Sequence, residues 1–105
     1  MAKDLSREIM NLLSMAQRAR RIVSGSLAVE QAMKSGKAEL LLIASDAAEE
    51  SRKKMVSLAD RYKVPHVDAL NRETLGACLG KEYRAVAALN DAGFATRLKQ
   101  LTEEP

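Results

Sequence analysis

The sequence predicts an α/β protein in which helices cover both faces of a central sheet of about four strands. Helical and strand patterns alternate along the chain, and such alternation is typical of a sheet enclosed by helices. The run from Leu40 to Ala44 is continuously apolar and of strand length, which indicates a central strand buried on both faces. With 105 residues and 47% apolar side chains, the chain is expected to form a single domain, residues 1–105.

The first helix is predicted from an apolar stripe at helical spacing, with Asp4 before it as a cap. The stripe consists of Leu5, Ile9, Leu12, Leu13 and Ala16. A short strand, Ile22-Val23, follows, and either Ser24 or Ser26 is expected to cap a second helix that ends near Gly36. The sequence therefore places a strand-to-helix turn around Gly25.

The middle of the chain carries a second strand-to-helix transition. Asp46 and Glu49 have the spacing of a capping box for a third helix. Val64-Pro65 ends that helix, because the residue before a proline disfavours helical geometry. The next residues, His66 to Asp68, are predicted to form a short strand near an edge of the sheet.

The last third of the chain repeats this alternation. Asn71 is expected to cap a short fourth helix, with Leu70 and Leu75 at the positions of a hydrophobic staple. A charged loop then leads into the last strand, Ala85 to Leu89, and Asn90-Asp91 is expected to cap the final helix.

Positive charge is concentrated around the turn at Gly25. The region from Arg18 to Lys37 contains five basic residues and a single acid, Glu30, so the net charge of this region exceeds the +3 of the whole chain. The five are Arg18, Arg20, Arg21, Lys34 and Lys37. Unpaired N–H groups and the helix dipole make a helix N-terminus attractive to anions, and neighbouring cations favour phosphate there. The arginines also suit the C-terminus of the first helix, where cations offset the dipole, so both interpretations stay open.

The residue types disfavour an enzyme and a metal or cofactor site. The single Cys78 and single His66 do not form a metal-ligating pattern. The segment Ser24 to Ser26 lacks the further glycines of a dinucleotide fingerprint and the lysine of a P-loop. We expect no catalytic residue, no metal and no cofactor, with His66 structural or on the surface and Cys78 a small core residue.

Composition limits the cellular setting and the mode of binding. The chain contains no apolar run near the roughly 18 residues of a membrane span and no secretory pattern, and one cysteine suits a reducing cytoplasm. A sequence pI near 9.2 suits a nucleic-acid partner. Aromatic residues are only 3% of the chain, which disfavours RNA binding by stacking bases on an aromatic surface. A cytoplasmic monomer that contacts structured RNA by shape and backbone is expected.

Several short motifs, taken in order, resemble those of bacterial YlxQ-type proteins, which belong to the superfamily of kink-turn-binding ribosomal proteins. The motifs are Met15 to Arg20, Ser24-Gly25, Lys34 to Ala38, Ala44 to Ala47, Leu75 to Glu82 and Asp91 to Ala95. The resemblance covers nearly the whole chain. It implies an α/β/α sandwich of three layers with a mixed sheet of about four strands.

The superfamily binds RNA through a turn that reads Gly-x-Asn-Glu-x-x-Lys, with a second glycine eleven residues after the first. Gly25 and Gly36 set this register, which places Leu27, Ala28 and Gln31 where the family has its Asn, Glu and Lys. The family uses its Asn and Glu to contact sheared G·A pairs, and Leu27 and Ala28 cannot make those side-chain hydrogen bonds. The second family contact, the loop before the last strand, corresponds to Leu79 to Arg84.

The resemblance therefore implies a non-enzymatic protein that binds structured RNA, such as a kink-turn-like or ribosomal element, with weakened kink-turn specificity. From the resemblance and the basic charge together, the predicted RNA-contacting residues are Arg20, Arg21, Ser24, Gly25, Ser26, Leu27, Ala28, Gln31, Lys34, Lys81, Glu82, Tyr83 and Arg84. The alternative is a protein-interaction module of the transcription–translation machinery that uses the same surface. Leu27, Ala28 and Tyr83 would then form an apolar patch for a protein partner.

Overall fold

The computed structural model describes residues 5–103, which form five helices and four strands in the predicted order. Their bounds are α1 Ser6–Arg18, β1 Ile22–Ser24, α2 Ser26–Lys34, β2 Leu40–Ile43, α3 Glu49–Arg61, β3 His66–Asp68, α4 Arg72–Cys78, β4 Val86–Leu89 and α5 Ala92–Glu103. The expected cap Asp4 lies outside the described residues. No helix among residues 5–103 has the length and apolar character that a membrane crossing requires.

The four strands form one mixed sheet in the order β1-β4-β2-β3. The strand β4 is antiparallel to both of its neighbours, so that Ala88 lies opposite Val23 on one side and Leu41 on the other. The strands β2 and β3 are parallel. The predicted mixed sheet of about four strands is thus confirmed, and β1 and β3 are its edges.

Helices cover both faces of this sheet, as predicted. The residues Leu40 and Leu42 of β2 pack in a cluster with α1, α4 and α5, whereas Leu41 and Ile43 pack in a second cluster with α2 and α3. Every residue from Leu40 to Ala44 has 0% exposed surface. Alternate side chains of a strand point to opposite faces, which explains why this apolar run is unbroken.

Two predicted helix caps are wrong, whereas those at Asn71 and Asp91 are confirmed, the latter by a 2.9 Å hydrogen bond from the Phe94 N–H to Oδ2 of Asp91. Neither Ser24 nor Ser26 caps α2. The N-cap of α2 is Gly25, so no side chain accepts a capping hydrogen bond there. The capping box that Asp46 and Glu49 suggested is absent from α3, whose N-cap is Ala48. At α4 the side chain of Asn71 accepts a 2.8 Å hydrogen bond from the Thr74 N–H, as predicted.

The carboxylate of Asp46 instead caps a helix that lies far along the chain. Its Oδ1 accepts a hydrogen bond of 2.8 Å from the backbone N–H of Arg72, the first residue of α4. Its Oδ2 also lies 3.5 Å from Nε of Arg72. A carboxylate at a helix N-terminus satisfies an otherwise unpaired N–H and interacts favourably with the dipole. The local sequence pattern was therefore overridden by a tertiary contact.

The helices α1, α2, α3 and α4 end in the same motif, but the residue at its left-handed position differs. At α2 and α4 that residue is glycine, Gly36 and Gly80, whereas at α1 it is Arg20 with φ 59° and at α3 it is Lys63 with φ 58°. At α1 the N–H of Arg21 donates to the carbonyl of Ala16 at 2.8 Å, as in a Schellman motif. Side chains with a Cβ are disfavoured in this conformation, so Arg20 and Lys63 occupy positions where glycine would be more stable.

Candidate nucleic-acid interface

The junction of β1 and α2 exposes backbone N–H groups. The N–H of Gly25, with φ 89°, donates to the carbonyl of Val86 at 3.1 Å and so holds the turn against the end of β4. The N–H of Val29 donates to the Gly25 carbonyl at 3.0 Å as the first bond of the helix. The preceding N–H groups, from Ser26 to Ala28, have no intrahelical acceptor. The junction therefore presents a partial positive charge suited to an anion.

The loop from Lys81 to Arg84 is held against α4 at a glycine. A Cβ built on Gly76 would lie 2.8 Å from the carbonyl oxygen of Glu82 and 2.9 Å from Cα of Tyr83. The N–H of Lys81 donates to the Gly76 carbonyl at 2.8 Å. Only a residue without a side chain permits this close approach, so Gly76 fixes the position of the loop.

The side chain of Arg84 joins the loop to the junction. Its Nε donates to Oγ of Ser24 at 3.0 Å, and its Nη1 donates to the carbonyl of Tyr83 at 2.9 Å. Two segments that the sequence predicted as RNA contacts, Ser24 to Ala28 and Lys81 to Arg84, are thereby brought together. We call these two segments the turn surface.

Two large apolar side chains of the turn surface are exposed to solvent. Leu27 is 72% exposed and Tyr83 is 61% exposed. Ala28 is half-buried, and Gln31 is exposed one helical turn further along α2. Exposed apolar side chains beside backbone donors suit a ligand that combines flat apolar groups with anionic groups, or an apolar patch on a protein.

The predicted arginines lie away from the turn surface. Arg20 and Arg21 precede β1, whereas Gly25 follows it. The four residue-to-residue steps from Arg21 to Gly25 span about 13 Å at strand spacing. The helix α2 also runs back along the sheet, because Val29, Ala32 and Met33 pack on its face. Its last residue, Lys34, is therefore not at the turn surface either.

Lys34 is occupied by an intrahelical ion pair. Its Nζ lies 3.0 Å from a carboxylate oxygen of Glu30, and Nζ of Lys54 lies 3.8 Å from the other oxygen. The hydrogen bond from Lys34 lowers the pKa of the Glu30 carboxyl below its ordinary value. This pairing leaves Lys34 less suited to an external anion than the sequence implied.

Two residues near the arginines were not predicted as site residues. Arg20 and Arg21 share a cleft with Lys37 and Asn90, and the backbone N–H of Asn90 donates to the Arg21 carbonyl at 2.8 Å. Only the antiparallel pairing of β1 with β4 brings Asn90 to this point. The basic character of Lys37 was a visible signal in the sequence, whereas Asn90 gave none.

The sequence matches a known protein family over most of its length. Residues 7–99 match the ribosomal protein L7Ae/L30e/S12e/Gadd45 family. The chain belongs to this family.

Two proteins similar to this chain carry the name RNA-binding protein YlxQ. The one from Bacillus subtilis (strain 168) is 39% identical over 92 residues, which cover 88% of this chain and 92% of the relative. The one from Enterococcus faecium is 31% identical over 94 residues, with 90% of each chain covered. The predicted resemblance to YlxQ-type proteins is thus confirmed.

Solved structures show the same L7Ae-type fold. A protein described as of unknown function from Bacillus halodurans C superposes with a TM-score of 0.88 at 34% identity, covering 92% of this chain and 98% of that one. The Giardia lamblia 15.5kD RNA binding protein gives a TM-score of 0.75 at 22% identity, covering 96% and 92% respectively. The predicted α/β fold with a mixed four-stranded sheet is confirmed.

The remaining candidates for side-chain chemistry lie apart from the turn surface. His66 is exposed on the edge strand β3. Cys78 is partly buried and packs against the cluster of α1, α4 and α5, which agrees with its predicted role as a small core residue. Within residues 5–103 no three side chains of His, Cys, Asp or Glu gather as metal ligands.

Cys78 should react slowly with alkylating reagents in the folded protein. Burial raises the pKa of its thiol above the ordinary value, although a hydrogen bond with Ser14 acts in the opposite direction. A raised pKa leaves less thiolate at pH 8, and the thiolate is the reactive form. Iodoacetamide labelling followed by mass spectrometry should be several-fold slower in buffer than in denaturant. Equal rates would show that the thiol is freely accessible in the folded chain.

Proposed function

We propose that the chain is a non-enzymatic cytoplasmic protein that binds structured RNA of the kink-turn type through the turn surface. The observation that carries this proposal is the hydrogen bond of 3.0 Å between Arg84 and Ser24. It joins the two segments that the family resemblance implies as RNA contacts into one surface. The names of the Bacillus subtilis, Enterococcus faecium and Giardia lamblia relatives, all RNA-binding proteins, support the same class of ligand.

The turn surface supplies the contacts that a folded RNA requires. The N–H groups at the start of α2, with Lys81 and Arg84, provide donors for backbone phosphates. The exposed Leu27 and Tyr83 provide apolar surface for a base that is unstacked from a loop or bulge. Backbone phosphates and splayed bases occur together in internal loops, so this surface suits a structured element better than a plain duplex.

The side chains on α2 argue for weak discrimination among such elements. Leu27, Ala28 and Gln31 occupy the positions of the family's Asn, Glu and Lys. Leu27 and Gln31 are exposed at a spacing of four residues, which places them on the same face of α2. The surface therefore presents side chains at the positions where the family contacts bases, but it lacks the carboxylate and the ammonium group that fix base identity.

Restoring the three family residues should raise specificity. The variant Leu27→Asn, Ala28→Glu and Gln31→Lys is expected to increase the preference for a kink-turn over the same RNA with its G·A pairs replaced by about ten- to a hundredfold. The estimate takes roughly 1–3 kcal/mol for a good pair of base contacts. The two proteins are titrated against both RNAs at one salt concentration, since affinity depends strongly on salt.

The unmodified chain is the reference in this titration. It should bind both RNAs with similar, salt-sensitive affinity. A hundredfold preference for the kink-turn in the unmodified chain would assign recognition to backbone groups or to the loop from Lys81 to Arg84. Absence of RNA binding at low salt would contradict the proposal and favour the protein-interaction module, for which the 72% exposure of Leu27 is the supporting observation.

A further inference from the structure

We propose that the cleft formed by Arg20, Arg21, Lys37 and Asn90 is a second RNA site, which binds backbone phosphates of the RNA held at the turn surface. The cleft lies beyond the N-terminal end of β1 and has a volume of about 520 Å³. That space accommodates a phosphate group together with part of its sugar. The proposal rests on the proposed function, because it needs an RNA that is already bound at the turn surface.

The charges of the cleft are available to a ligand. Arg20, Arg21 and Lys37 are exposed, and among residues 5–103 none of the three forms an ion pair. By contrast, Lys34, Lys54, Arg52 and Arg72 each lie within 4 Å of a carboxylate oxygen. One acid, Glu39, lines the cleft, so three positive charges stand against one negative charge. Such a concave surface concentrates anions.

Backbone hydrogen bonds fix the walls of the cleft. The N–H of Asn90 donates to the Arg21 carbonyl at 2.8 Å, and the N–H of Lys37 donates to the Ala32 carbonyl at 3.0 Å. The Oδ1 atom of Asn90 is buried and accepts no hydrogen bond within the described part of the chain. The cleft is thus polar as well as basic, and the fold does not fill it with its own side chains.

The conformation of Arg20 allows its charge to be tested separately from its effect on stability. Arg20 and Lys63 occupy the same left-handed position at the ends of α1 and α3, but only Arg20 lines the cleft. Glycine is preferred at this position. Both Arg20→Gly and Lys63→Gly should therefore raise the melting temperature by a few degrees, and only Arg20→Gly should weaken RNA binding.

The separation of the two sites determines which RNA reveals the second one. The cleft and Gly25 lie at opposite ends of β1, about 13 Å apart along the strand. A minimal RNA confined to the turn surface would not reach the cleft, whereas an RNA with one stem lengthened would. Three RNAs are therefore compared, namely a minimal kink-turn and two forms in which one or the other stem is extended.

The experiment measures affinity as a function of salt for the unmodified chain, Arg20→Gly, Lys63→Gly and the double variant Arg21→Ala, Lys37→Ala. With one extended RNA, Arg20→Gly should lose roughly threefold and the double variant roughly tenfold in affinity, and the slope of log affinity against log salt should fall by about 0.9 for each lost contact. The minimal RNA should bind all four proteins alike. Glu39→Gln should strengthen binding of the extended RNA.

The outcomes distinguish this inference from the function on which it rests. Equal affinities and equal slopes for all variants on all three RNAs would overturn the second site and leave binding at the turn surface intact. Equal losses for Arg20→Gly and Lys63→Gly would also overturn it, because Lys63 lies outside the cleft. Failure of the unmodified chain to bind any of the RNAs would overturn the proposed function together with the second site.

Discussion

Replacing Leu42 with alanine should lower the free energy of unfolding by about 2–5 kcal/mol, as expected for truncation of a fully buried leucine. Leu42 has 0% exposed surface in the middle of the sheet, opposite Ala87 on one neighbouring strand and Val67 on the other. Its side chain packs in the cluster with α1, α4 and α5. Because strands on both sides restrain β2, the surrounding atoms cannot close the cavity fully.

Urea denaturation followed by circular dichroism measures this effect, with Leu27→Ala as the matched control. Leu27 is 72% exposed, so its truncation should change stability by no more than about 0.5 kcal/mol. The same control should weaken ligand binding at the turn surface, whereas Leu42→Ala should alter binding only through the folded fraction. A loss below about 1 kcal/mol for Leu42→Ala would contradict the observed burial of β2.

Replacing Gly76 with alanine should destabilise the protein by about 1–3 kcal/mol and displace the loop from Lys81 to Arg84. The new Cβ would lie 2.8 Å from the Glu82 carbonyl oxygen and 2.9 Å from Cα of Tyr83. Both are backbone atoms, so a side-chain rotation cannot relieve the overlap. Alanine favours a helix over glycine by about 1 kcal/mol, and this gain only partly offsets the clash.

In Gly76→Ala the two segments of the turn surface should move apart. Movement of the loop should break the bond between Arg84 and Ser24, and RNA affinity should then fall by about tenfold even under conditions where the variant is fully folded. Gly93→Ala in α5 is the control, because its new Cβ would meet only a side-chain atom, Oδ2 of Asp91 at 3.1 Å, and no backbone atom. Unchanged RNA affinity in folded Gly76→Ala would show that the position of the loop does not matter for binding.

The fold was predictable because its strongest signals are local and mutually consistent. The apolar run from Leu40 to Ala44 marked the central strand, and Asn71 marked the start of α4, where its side chain does accept the expected hydrogen bond. The strand β4 begins at Val86, one residue later than predicted. Such boundaries depend on the neighbouring strands rather than on the segment itself.

The arrangement of the candidate site was less predictable because it depends on strand pairing. Arg20 and Arg21 are close to the turn in sequence, yet the length of β1 separates them from it. Arg84 is distant in sequence, yet it bonds to Ser24. The misassigned cap at Asp46 has the same cause, since its carboxylate found a partner in Arg72 rather than in its own helix.

The position of β4 in the sheet also constrains how the chain acquires its structure during synthesis. Among the four strands of residues 5–103, β1 is the first in chain order, but its pairing partner is β4, the last of the four. Until β4 emerges from the ribosome, β1 and β2 have no strand between them, and the loop that carries Arg84 is also missing. Long-range pairing of this kind slows folding. The turn surface is therefore complete only after β4 and the loop before it have been translated.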